Sequence, residues 1–119
     1  MIREIPEEDD NEYLSAVLKL YLELPETPSR AGPHDRKSAA ALYARGIELA
    51  TVESALLLAS LRRLGRPHDL PPLSPIRSLA YFFPVIQELL DTPIPDDYRE
   101  YLRRKVQSLD SRSRITKCS

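Results

Sequence analysis

The residues best suited to chemistry in this chain are its arginines. Arg62, Arg63 and Arg66 fall close together, and Arg77 follows. Arg99, Arg103, Arg104 and Lys105 crowd one stretch, and Arg112, Arg114 and Lys117 trail behind it. A guanidinium is a planar fork that matches phosphate oxygens two at a time, so a predominance of Arg over Lys suits phosphate contacts. If these positions converge, Arg62, Arg63, Arg66, Arg77, Arg99, Arg103, Arg104 and Lys105 form a phosphate-binding surface. The alternative is a set of solvated faces and helix-end charges that offset the helix dipole.

A second set is aromatic. Tyr81, Phe82 and Phe83 are consecutive, so on a helix they point in different directions. Phe83 is expected in the core, with Tyr81 or Phe82 exposed as a stacking platform or partner anchor.

Other chemistries find little support. His34 and His68 lack a neighbouring Cys or second His, so no metal-ligand spacing exists. Their neighbours Asp35 and Asp69 sit in Pro-rich connectors, where such residues cap helices more often than they catalyse. No serine elbow, Gly-rich phosphate loop or H-E-x-x-H run occurs. The expectation is a non-enzymatic protein without cofactor or metal.

The elements that must position these residues read as helices. Asp10 or Asn11 can cap a first helix with its stripe at Leu14, Val17, Leu18, Tyr21 and Leu22, and Pro25 ends it. Three prolines and a glycine between Pro25 and Pro33 make a connector. His34 or Asp35 opens a second helix through Arg45, burying Ala39, Leu42 and Tyr43, and Gly46 stands where a left-handed residue is wanted. The third helix covers about residues 49–64. Val52, Ala55, Leu56, Ala59 and Leu61 form its stripe, and Leu57, Leu58 and Leu64 widen it nearly all round, as a central helix requires. After the connector 66–74, Ser74 and Pro75 open a fourth helix to about Asp91. It buries Ile76, Leu79, Ala80, Phe83, Ile86, Leu89 and Leu90, and Pro84 should kink or split it. The fifth, from Asp96 to about Leu109, buries Tyr98, Tyr101, Leu102, Val106 and Leu109. Its outer face is Arg99, Arg103, Arg104 and Gln107.

Leu42, Gly46, Ile47, Val52 and Ala55 also fit helix-turn-helix spacing. A recognition helix there would expose Glu48, Thr51 and Ser54, with Glu53 close by. Acids facing phosphates repel, so a plain core hairpin is the preferred reading.

Bulk properties bound the answer. The chain has 119 residues, 42% hydrophobic and 29% charged, with 11 Pro and only 3 Gly. That is one domain with a core of its own and stiff connectors. Net charge is −1 but uneven: residues 1–26 carry eight acids against two bases, and the remainder fifteen bases against ten acids. An acidic lead on a basic body fits a polyanion partner or an ordinary mixed surface. A single thiol, Cys118, and no long apolar run make a cytoplasmic, non-membrane protein the expectation.

The segments YLELPETPSR, ALYARGIELATVESALLLASLRR, PPLSPIRSLAYFFPVIQELL and YREYLRRK add a resemblance. Together they resemble small uncharacterised all-helical proteins encoded in bacterial mobile elements, near transposase or integrase genes. More loosely, an aromatic helix followed by a basic one is similar to DnaD-like primosomal domains. That similarity implies DNA contact through Arg99, Arg103, Arg104 and Lys105.

The combined expectation is an all-α bundle of about five helices. An acidic flexible lead covers 1–9, a single helical domain 10–109 and a basic disordered tail 110–119. The expected function is a DNA-binding accessory for replication or transposition of a mobile element. The alternative is a protein-interaction adaptor that binds a partner through Tyr81 and Phe82 or through the acidic lead, with a homodimeric helical module as an equally open variant.

Overall fold

The path of the chain is set by prolines and by the apolar stripes between them. The computed structural model describes residues 7–118 apart from 68 and 72, and side chains within 12–109. Five helices appear among the described residues, with no strand: α1 (Glu7–Leu22), α2 (Pro33–Ala44), α3 (Leu49–Leu64), α4 (Phe83–Asp91) and α5 (Asp96–Cys118). A 3₁₀ turn, Leu79–Phe82, leads into α4. The protein is therefore an all-α bundle, and no described helix is long and apolar enough to cross a membrane.

α3 is the centre. It packs against α1, α4, α5 and the 3₁₀ turn. Val52, Ala55, Leu56, Leu57 and Ala59 are buried along it, as its nearly continuous apolar surface requires. One core cluster joins Val17, Leu18 and Tyr21 of α1 and Ala39 and Leu42 of α2 to α3, Phe82 and Ile86. A smaller one seats α5 through Leu102 and Val106 against Leu57.

Gly46 behaves as its position requires. Its φ of +73° lies in the left-handed region. Gly46 N–H donates to the Tyr43 carbonyl and Ile47 N–H to that of Leu42. This satisfies the open end of α2 while Ile47 and Leu42 are both buried. The Tyr13 hydroxyl donates to the Ile47 carbonyl at 2.7 Å and pins α1 to the same corner.

Several expectations are corrected. α1 starts at Glu7, ahead of the Asp10 and Asn11 caps, and α2 starts at Pro33 behind Gly32. α4 does not start at Pro75. Ile76 N–H donates to the Glu26 carbonyl, and Ser78 is extended, so helix begins only after the 3₁₀ turn. Pro84 then falls in the first turn of α4, where its missing N–H costs nothing. The shift rotates the aromatics: Phe82 is fully buried, Phe83 half-buried, and Ala80 and Leu90 exposed. On α5, Tyr98 and Tyr101 are 42% and 46% exposed rather than buried, with their rings stacked at 5.7 Å. α5 also continues through Cys118, so helix runs through residues read as a tail. The lead 1–6 and His68 lie outside the described residues, as do the side chains of Arg112, Arg114 and Lys117.

Ser54, expected on an exposed recognition face, is 3% exposed. With α1, α4 and α5 around it, α3 has no face for a DNA groove. The hairpin reading also changes, because α2 packs on α1 and the 3₁₀ turn rather than along α3.

Candidate nucleic-acid interface

Most of the expected phosphate contacts are engaged within the protein. Both terminal nitrogens of Arg62 donate to Glu88 of α4, at 3.0 and 2.7 Å. That hydrogen bond holds the Arg62 pKa above, and the Glu88 pKa below, the ordinary values. Arg63 is more deeply committed, with its side chain only 7% exposed. It donates to Glu26 at 2.9 and 2.6 Å, to the Ser74 carbonyl at 2.8 Å and to the Tyr81 hydroxyl at 3.1 Å. Burial opposes its charge, but the bonds to Tyr81 and Glu26 leave its pKa raised. Arg63 also restrains Glu26, whose φ of +68° is strained for a residue with a side chain. Arg66 donates to the Pro71 carbonyl at 2.8 Å.

On α5, Arg99 and Arg103 turn inward. Arg103 donates to Glu53 of α3 at 3.2 and 2.6 Å and to Glu100. The Glu53 bond is the main cause of its raised pKa. Arg99 pairs with Asp96 at 3.0 Å and lies 3.8 Å from Glu53. Neither belongs to an outer face. Arg104 and Lys105 are exposed, with no acidic partner among the described residues. Of the proposed anchors, Phe82 is core and Tyr81 is 44% exposed beneath the Arg63 guanidinium, 5.5 Å from its ring centre.

Of the expected site residues, Arg99 and Arg103 also line small pockets but are paired with acids there. Arg77 instead reaches a concave surface with no salt bridge among the described residues. It lies on an open groove of about 770 Å³ with Arg30, His34, Lys37, Ala80 and Phe83. The α2 side supplies His34 and Lys37, three residues apart and so neighbours on one helix face. The connector supplies Arg30, and the irregular segment before the 3₁₀ turn supplies Arg77. No acidic side chain pairs with Arg30, Lys37 or Arg77 among the described residues.

The two walls are tied by Asp35, which is 4% exposed. One carboxylate oxygen accepts from Gly32 N–H and the other from Leu79 N–H, both at 2.9 Å. Asp35 is thus a helix-capping residue, as its place in the sequence suggested; it also lines the groove, with both carboxylate oxygens engaged by backbone donors. Arg30, His34 and Lys37 were not grouped with Arg77 in the sequence. The signal was their spacing of four and three across the start of α2; a contrast between chain halves dilutes it.

No family model, curated protein or solved structure matches the chain.

Proposed function

We propose that this protein is a non-enzymatic nucleic-acid-binding accessory whose contact surface is the Arg30–Lys37–Arg77 groove. One observation carries the reading: three cations and His34 line one concave surface, free of salt bridges among the described residues and with its one lining acid, Asp35, held by backbone N–H donors, while most of the other candidate arginines are spent on Glu side chains. Phosphates attract such a surface from a distance and are held there without base-specific readout. The protein's role is to position a strand, in the cytoplasm. The setting that the sequence resemblance implies is replication or transposition of a bacterial mobile element.

The test is fluorescence anisotropy with labelled DNA in about 50 mM salt. Arg30→Glu, Lys37→Glu and Arg77→Glu should each weaken binding, and all three together should abolish it. Arg62→Ala and Arg103→Ala should leave it near wild type. The reverse ranking would return the site to α3 and α5.

A second reading, a protein adaptor or homodimer, is favoured by the exposed stacked pair Tyr98–Tyr101. Sedimentation of wild type and Tyr98→Ser, Tyr101→Ser protein separates it: a dimer lost in the double variant would support this reading.

A further inference from the structure

The groove is not uniformly polar. Alongside Arg30, Lys37 and Arg77, it is lined by the apolar side chains Ala41, Ala80 and Phe83. Phe83 is half-buried and packs against the main core, so part of its side chain is fixed and the rest remains on the groove. It occupies the first position of α4, with its backbone in the right-handed helical region (φ −57°, ψ −42°).

A duplex offers such a surface little. Its phosphates lie on a convex outside, and its base faces are stacked on one another. A single strand exposes both phosphates and base faces, and proteins that hold one combine a cationic track with aromatic side chains. The volume of about 770 Å³ falls within the range of small-ligand sites and suits a short piece of strand.

Resting on the groove assignment above, we infer that the ligand is single-stranded nucleic acid, with phosphates on Arg30, Lys37 and Arg77 and a base against Phe83. Every base has an apolar face, so this contact selects strandedness rather than sequence.

The test compares a labelled thymidylate oligomer, a duplex of the same length, inorganic polyphosphate and thymidine triphosphate. All are measured with the full chain in about 50 mM salt. The oligomer should bind at least roughly tenfold more tightly than the duplex or polyphosphate. Phe83→Leu should weaken oligomer binding roughly five- to tenfold and leave polyphosphate binding unchanged. Phe83→Tyr keeps the ring and should keep the affinity. Circular dichroism melts of both variants identify any loss that comes from unfolding.

Duplex binding as tight as the oligomer, or Phe83→Leu binding equal to wild type, overturns the inference while leaving the groove assignment in place. Thymidine triphosphate binding as tightly as the oligomer overturns it in favour of a small-molecule site. No binding of any polyanion overturns the groove assignment itself.

Discussion

Replacing Asp35 with Ala should be among the most damaging polar substitutions in this protein. Its carboxylate accepts from Gly32 N–H and Leu79 N–H, both at 2.9 Å. Each hydrogen bond to a charged group contributes about 1.5–3 kcal/mol. The two donors differ in what happens next. Gly32 is half-buried and its N–H can turn to water, whereas Leu79 is fully buried and its N–H would be stranded. Removing a buried charge returns some desolvation energy. The balance is a loss of roughly 3–4 kcal/mol, a large share of the 5–15 kcal/mol typical of a folded domain. The melting temperature should fall by roughly 10–15 °C. Asp35→Asn keeps one acceptor but turns an NH₂ toward the other donor, so it should cost about half as much. Urea unfolding followed by far-ultraviolet circular dichroism measures both variants. An Ala variant within about 1 kcal/mol of wild type, or an Asn variant as damaged as Ala, would refute the claim that two backbone bonds carry the effect.

The Tyr21 hydroxyl is buried without a hydrogen-bond partner among the described residues. Burial first, and the Asp35 charge second, push its pKa up to about 12. A raised pKa in the folded state favours the neutral phenol. Its stabilising effect is therefore complete below the ordinary value near 10 and is lost as pH climbs from there to about 12. Up to roughly 3 kcal/mol is at stake. Tyr21→Phe should flatten that alkaline loss and be neutral or slightly stabilising at pH 7, as pH-dependent urea titrations would show. Glu53→Gln removes the ionic tie from α3 to Arg99 and Arg103 on α5. These groups are partly exposed, so the cost should be about 1–2 kcal/mol, with faster hydrogen exchange concentrated in α5. For Glu88, whose pKa the Arg62 bond lowers, stabilisation exists above the usual Glu range and disappears as pH falls through the depressed value. Arg62→Ala should remove that acid-side dependence from the melting curve.

How much was legible in the sequence follows from how local each signal is. The limits of α3 lie between Gly46 and Gly65, and its apolar surface is continuous, so sequence and structure agree there. The turn at Gly46 is equally local, since its bonds join residues only three and five apart. α4 failed because the bond from Ile76 to Glu26 joins positions fifty apart and holds the segment extended. With the helix start displaced, consecutive aromatics could not be phased, and Phe82 exchanged places with Phe83. The arginines failed for the same reason. Their partners Glu26, Glu53 and Glu88 lie far away in the chain. Formal charge counts a guanidinium whether or not a carboxylate already holds it. Arg77 was visible, but its companions Arg30, His34 and Lys37 come from a connector and a helix that meet it only in the folded protein.

The most direct test of the groove assignment is the salt dependence of oligonucleotide binding in wild type and in the Arg30, Lys37, Arg77 triple Ala variant. A single strand whose phosphates are neutralised by three cations gives a slope of log affinity against log salt near about −2. The assignment predicts that slope for wild type and loss of most of it in the triple variant. An equal slope in both proteins would contradict it.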